Sequence, residues 1–267
     1  MLAESISPQA VHHRSARRVV IVGGTSGIGL ATAHRLAATG SQAIVLCGRS
    51  FERGEAARAA LAAHYPALTT YYVPCDASDS RSTERAMGEA VKVMDGIDAL
   101  VSCAAADVMP QLLADISTSD LMPALSAVAA CVILPARAAY DVMRQQGAGS
   151  IVCVASDAAK IATPGESVIG AAMAAIAMFC RGMAIEAKRD GIRVNCVTPS
   201  IVKGTALYTR LQDNEFARRL FGKAEAMASL GVVTADEVAD LIAFLASPAA
   251  CKITGQTISV TGGISAA

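Results

Sequence analysis

The sequence is poor in charge. Of its 267 residues 17% are charged and 53% are hydrophobic, and 23 basic residues balance 23 acidic ones. A formal net charge of zero offers no basic surface to nucleic acid or to an anionic membrane, so neither is predicted as a partner. The high hydrophobic share instead indicates a large buried core together with buried contacts between subunits.

Ligand-like cysteine spacing and long apolar segments are also missing. The eight cysteines include no CxxC pair, so we predict no metal site, thiols that pack as small hydrophobic groups, and a reduced, cytoplasmic protein. Apolar runs such as AAMAAIAMFC are shorter than a bilayer requires, and the N-terminal residues lack the apolar stretch of a signal peptide. No membrane segment is therefore predicted.

Strand-like and helix-like segments alternate along the chain. Short apolar runs such as VVIV (19–22) precede segments with apolar residues at helical spacing. This order predicts one doubly wound α/β domain, with a parallel sheet and helices on both faces. We place an arm at 1–17, the domain at 18–267 and a polar, irregular substrate lid at about 201–230. Near the end of the chain, Thr234 and Glu237 have the spacing of a helix capping box.

The segment GGTSGIG (23–29) follows the first strand and opens the first helix. Gly23 allows a tight turn, Gly27 lets the backbone approach a pyrophosphate, and Gly29 permits close packing of helix and strand. The free N–H groups and the positive dipole end of the helix then favour a phosphate. This arrangement predicts a dinucleotide site.

The residues after the second strand indicate which nucleotide is bound. A carboxylate there would hold the ribose 2′-hydroxyl, whereas this chain has Arg49 and Ser50. A guanidinium pairs well with a 2′-phosphate, so NADP(H) is favoured over NAD(H). Asp76, after the third strand, is positioned to accept a hydrogen bond from the adenine amine.

At this point the sequence resembles the short-chain dehydrogenase/reductase family. The resemblance covers nearly the whole chain, from VVIVGGTSGIGLA (19–31) through GSIVCVAS (149–156) and DGIRVNCVTP (190–199) to TGQTISVTGG (254–263). It implies a Rossmann-type domain with seven parallel strands, dimers or tetramers, and NAD(P)-linked oxidation or reduction. The nucleotide site it implies comprises Gly23, Thr25, Ser26, Gly27, Ile28, Gly29, Arg49, Ser50, Asp76, Ala77, Ala104, Pro199 and Val202.

The chemistry of the family uses an Asn, a Ser, a Tyr and a Lys, and most of these do not transfer to this chain. Ser156 stands at the serine position. Thirteen residues later the Tyr position is Ile169, four further the Lys position is Met173, and the Asn position falls at Val128. Neither Ile169 nor Met173 can move a proton. The resemblance therefore predicts a reductase scaffold without the acid of a reductase.

The sequence offers a few substitutes for the missing acid. Tyr208, in the predicted lid, is the first substitute, and Lys160 and Lys203 lie near the rim of the site. The nearest carboxylates are interpreted as solvated loop charges or caps: Asp107, Asp157 and Glu166.

Three functions remain open from the sequence. The first is an NADP(H)-binding enzyme of altered mechanism that acts on a hydrophobic small molecule. The second is a non-catalytic subunit that pairs with an active relative through the Ala-rich helix that carries Ile169 and Met173; apart from this choice, the chain is expected to form a homo-oligomer or a hetero-oligomer with such a relative. The third is a nucleotide or ligand sensor. Fold alone does not choose among them.

Overall fold

The computed structural model describes residues 16–266. The predicted arm at 1–17 therefore lies outside the described residues, except for Ala16 and Arg17.

Seven parallel strands form one sheet in the order β3-β2-β1-β4-β5-β6-β7. The order reverses between β1 and β4, which is where open α/β sheets bind their ligands. The predicted doubly wound α/β fold with a seven-stranded parallel sheet is confirmed. The strands are β1 Arg18–Val22, β2 Ala43–Gly48, β3 Thr69–Pro74, β4 Ala99–Ser102, β5 Gly149–Val154, β6 Ile192–Pro199 and β7 Thr257–Val260.

Helices cover both faces of the sheet. One hydrophobic core lies between the sheet and the third, fourth and fifth helices, and a second lies between the sheet and the first, second and eighth helices. Because both faces are covered, the central strands are apolar throughout rather than alternating. The helices are α1 Gly27–Ala38, α2 Phe51–His64, α3 Ser80–Met94, α4 Thr118–Gln146, α5 Ser167–Ala187, α6 Ala206–Asp213, α7 Glu215–Met227 and α8 Ala235–Ala246.

The cysteines behave as the sequence predicts. Six are buried, Cys103 is partly buried and Cys251 is exposed, and all eight are free thiols. Burial alone raises the pKa of the Cys103 thiol to about 12. Thiols in such surroundings are packing groups rather than nucleophiles.

The segment at 201–230 is more regular than predicted. It contains α6 and α7, which Thr205 and Asn214 cap by accepting hydrogen bonds from Tyr208 N and Ala217 N. Both helices are polar, so the spacing of apolar residues in the sequence did not predict them. The predicted capping box at the start of α8 is confirmed, with Thr234 and Glu237 bonded reciprocally.

The two long helices α4 and α5 correct the expectation that the apolar segments are shorter than a bilayer requires, whereas the absence of a membrane segment stays a prediction. The segments Thr118–Gln146 and Ser167–Asp190 are long and apolar enough to cross a membrane, and the most apolar 18-residue windows within them have mean hydropathies of 1.7 and 1.9. The core helices of soluble proteins satisfy the same criterion, and here both helices pack against the sheet. Only 33% and 39% of their most apolar windows are buried within this chain, so each leaves an apolar face uncovered.

Candidate nucleotide site and adjoining cavity

The turn between β1 and α1 has room only for glycine at several positions, including Gly23 and Gly29. Gly23 has a φ of +88°, and a Cβ added there would lie 2.7 Å from the backbone nitrogen of Ala104. A Cβ on Gly29 would lie 2.9 Å from the sulfur of Cys103 and would also collide with the Gly23 carbonyl. The turn therefore lies directly against the end of β4, where a side chain would block the approach of a ligand to the backbone.

The first turn of α1 offers its N–H groups to a ligand. Ser26 is the N-cap residue, and its hydroxyl makes no capping hydrogen bond. The predicted residues Thr25, Gly27 and Ile28 complete the turn and are partly exposed. Uncapped amides, the helix dipole and a glycine-lined approach together fit a pyrophosphate.

Two charged residues lie beyond the ends of β2 and β3. Arg49 is exposed and forms no salt bridge with any residue between 16 and 266. Ser50 caps α2 by accepting a hydrogen bond from Arg53 N. Hydrogen bonds from the Ser78 hydroxyl and backbone lower the pKa of Asp76, and Arg49 contributes to the same shift. Asp76 is therefore an anionic acceptor, and Arg49 is an available cation.

The remaining predicted nucleotide residues lie at the same edge of the sheet. Ala77 is buried after β3, Pro199 ends β6, and Val202 is buried just beyond it. Sequence reasoning missed Thr205, whose methyl group lies 3.5 Å from the Cβ position of Gly27 and brings the start of α6 over the glycine turn. A Thr immediately before a helical segment was the available signal.

A cavity of about 140 Å³ adjoins this edge, between the β4–α4 connection and the start of α5. Its wall combines apolar side chains with the polar residues Gln111, Asp115 and Asp120. The lining residues are Val108, Met109, Gln111, Asp115, Ile116, Asp120, Ala124, Gly165, Val168 and Ile169.

The lid helices contact the loops that form this cavity. The ring of Phe216 lies 2.6 Å from the Cβ position of Gly165, so it occupies the space that a side chain would fill. Gln111 N donates a hydrogen bond of 2.8 Å to the Gly165 carbonyl. Arg210 of α6 forms an ion pair with Asp107. The wall is therefore fixed from both the α4 side and the lid side.

Comparison with known proteins gives the family. A family model described as enoyl-(acyl carrier protein) reductase matches residues 22–265. The rabbit (Oryctolagus cuniculus) dehydrogenase/reductase SDR family member 4 is 31% identical over 91% of this chain and 92% of its own. The chain belongs to the short-chain dehydrogenase/reductase family. A tropinone reductase homolog from Arabidopsis thaliana is 30% identical over 92% of this chain and 91% of its own.

Solved structures of short-chain oxidoreductases share the fold. Levodione reductase superposes with a TM-score of 0.85 at 27% identity, covering 94% of this chain and 98% of its own. An oxidoreductase from Pseudomonas aeruginosa PAO1, solved with NADPH bound and described as containing an atypical catalytic center, gives 0.84 at 28% identity, covering 94% and 97%.

The four residues at the family's catalytic positions lie in different surroundings. Ser156 begins a 3₁₀ turn, and its hydroxyl oxygen accepts a hydrogen bond of 3.2 Å from Ala158 N. Ile169 lies in the first turn of α5 and lines the cavity. Met173, one turn later, packs against the core, and Val128 is buried on α4. Of these four, Ile169 alone is among the residues that line the cavity.

None of the three substitute donors lines the cavity, and Tyr208 and Lys160 have other partners. A hydrogen bond to the Glu225 carboxylate raises the pKa of the Tyr208 phenol, so this group is held within the lid. The Lys160 ammonium donates to the Ser259 hydroxyl, and Lys203 is exposed after β6. Within residues 16–266, no three His, Cys, Asp or Glu side chains are arranged to hold a metal ion.

Two carboxylates differ from their sequence interpretation as solvated charges. Burial raises the pKa of Glu166 to about 7, and a hydrogen bond from Thr163 opposes this shift only in part. Asp157 is 5% exposed, and its Oδ1 atom has no hydrogen-bond partner among the described residues. Asp157 lies just after β5, and Glu166 lies just before α5. Their burial depends on how this connection packs, which the order of residues alone does not reveal. Asp107, in contrast, is exposed and paired with Arg210.

Proposed function

We propose that this short-chain dehydrogenase/reductase binds NADP(H) at the β1–α1 turn. The steric fit at Gly23 and Gly29, the uncapped start of α1 and the available guanidinium of Arg49 support this proposal. The NADPH-bound structure of the Pseudomonas relative agrees with it. When bound, the nicotinamide supplies or accepts a hydride. The eight free thiols support our further proposal of a cytoplasmic location.

We propose further that the active centre is degenerate and works by an altered mechanism on a hydrophobic small molecule. The observation that carries this is Ile169 in the cavity wall, at the position where the family resemblance places a tyrosine. The apolar wall binds the substrate and excludes water. The Ser156 hydroxyl accepts one hydrogen bond and keeps its own proton, but Ser156 lies outside the lining of the cavity. Neither Ile169 nor Met173 supplies a proton or a charge, so ordinary carbonyl reduction lacks its acid.

NADPH oxidation with a panel of ketones and aldehydes tests this proposal. We expect tight NADPH binding by titration calorimetry and turnover about 10²-fold or more below that of an intact relative measured in parallel, the factor that loss of a general acid typically causes. Turnover of several per second on a simple ketone would refute the degenerate centre. Failure to bind either nucleotide would refute the cofactor proposal.

A second function, that of a non-catalytic subunit, is supported by the uncovered faces of α4 and α5. Met178 and Ile185 on α5 are 63% and 64% exposed, and Met122 on α4 is 63% exposed. Large exposed apolar groups on neighbouring helices indicate a covered face in the assembled protein. Co-expression with an intact relative distinguishes the two functions. A mixed oligomer in which the relative becomes more active or more stable would favour the subunit, whereas homo-oligomers alone would favour the enzyme.

A further inference from the structure

The cavity beside Ile169 has the size of one small ring. It encloses about 140 Å³. Apolar cavities of about 150 Å³ engineered into proteins bind benzene, so the enclosed volume fits a single six-membered ring. A larger substrate would place one ring here and extend outward.

Apolar side chains form slightly more than half of the wall. The ring would contact Val108, Met109, Ile116, Val168 and Ile169. The Gln111 groups on this wall are paired within the chain: Gln111 N donates to the Gly165 carbonyl, and the Gln111 side chain donates to the Asp115 carbonyl at 2.7 Å. The wall therefore offers an apolar surface to a ring and leaves its acidic residues for a polar substituent.

The charged residues that line the cavity are of one sign. They are Asp115 and Asp120, both exposed, and the lining includes no basic residue. Neither carboxylate forms a salt bridge with a described residue, and the nearby Asp107 is already paired with Arg210. The first turn of α4 offsets part of the charge of Asp120, which leaves Asp115 as the stronger attraction. A cation beside these residues gains from both charges, whereas a carboxylate is repelled.

We propose that this cavity binds a compact single-ring compound carrying a positively charged amine. The inference rests on the proposed substrate site at Ile169, but it requires neither nucleotide binding nor turnover. Its three physical grounds are the volume, the apolar surface and the unpaired carboxylates of the lining.

Three probes with the same ring test it, added to the full-length protein without nucleotide. At neutral pH cyclohexylamine is positively charged, cyclohexanol is neutral and cyclohexanecarboxylate is negatively charged. Ligand-observed NMR titration should give cyclohexylamine about tenfold tighter binding than cyclohexanol, as expected from two exposed charge interactions of about 0.5 to 1 kcal/mol each, and no detectable binding of the carboxylate. Equal binding of amine and carboxylate, or no binding of any probe, would overturn the inference.

Variants locate the site. Changing Asp115→Asn together with Asp120→Asn should remove the preference for the amine and leave cyclohexanol binding unchanged. The control Asp141→Asn, on the same helix but about 30 Å from Asp120, should preserve the preference. Ile169→Trp and, from the opposite wall, Ala124→Phe should fill the cavity and abolish binding of every probe. If either variant folds, as circular dichroism reports, and still binds cyclohexylamine with native affinity, the assigned location is wrong.

A separate NADPH titration keeps the two proposals distinguishable. Native NADPH binding without probe binding would overturn only the ring-and-amine inference. Probe binding with the expected charge preference but without NADPH binding would overturn only the nucleotide proposal.

Discussion

Replacing Glu166 by glutamine should stabilise the protein above neutral pH and change little below pH 5. Burial raises the pKa of the Glu166 carboxyl from an ordinary 4.5 to about 7 in the folded state. Between these values the folded protein holds a proton that the unfolded chain has already released. Stability is therefore greatest below the unfolded pKa, falls as pH rises through this window, and reaches its low plateau above the folded pKa.

The size of the effect follows from the shift. About 2.5 pKa units at about 1.4 kcal/mol each give between about 3 and 4 kcal/mol over the whole titration, most of it between pH 5 and pH 8. Glutamine has nearly the same shape and no charge to desolvate, so Glu166→Gln should not show this loss. Its advantage over the native protein in free energy of unfolding should grow by about 2 to 3 kcal/mol from pH 5 to pH 8.

Urea unfolding at pH 5, 6, 7 and 8 measures this difference, with midpoint and slope fitted at each pH. Glu84→Gln on the exposed side of α3 is the matched control, and its difference from the native protein should stay constant. A Glu166→Gln difference that is equally constant with pH would refute the reasoning, since it would show that the carboxyl is solvated in the folded protein.

Three further variants test the nucleotide, the chemistry and the assembly. In calorimetric titrations, Arg49→Ala should weaken NADPH binding about tenfold and leave NADH binding unchanged, whereas the control Arg53→Ala should change neither. Equal losses of affinity for both nucleotides would contradict the role of Arg49. The double change Ile169→Tyr with Met173→Lys should raise the rate of ketone reduction by more than the product of the two single effects, because the phenol needs a neighbouring positive charge to lower its pKa. Independent effects of the two changes would count against a coupled pair. Ile185→Glu should shift the protein toward monomer in sedimentation velocity at micromolar concentration, and a native protein that is already monomeric would contradict the predicted oligomer.

The order of elements was readable from the sequence because local patterns determine it. Apolar runs, helical spacing and the capping residues Thr234 and Glu237 require only neighbouring residues to be interpreted, and the structure confirms the sheet, the alternation and the cap. The glycine turn was equally visible, since only glycine tolerates the conformation at Gly23.

Distant contacts decided the rest. The burial of Glu166 and Asp157 depends on how the β5–α5 connection packs, and the partner of Tyr208 comes from a helix that begins seven residues later in the lid. Residue type alone did not distinguish these groups from solvated surface charges.

The sequence by itself thus determines a doubly wound α/β domain with a dinucleotide-type turn at the end of its first strand. Tertiary structure alone decided that Ile169 faces a cavity while Met173 packs into the core, although both lie on one helix. The physical reason is that helical spacing gives the relative directions of two side chains, whereas which direction meets solvent, core or cavity depends on the loops and lid helices packed around them.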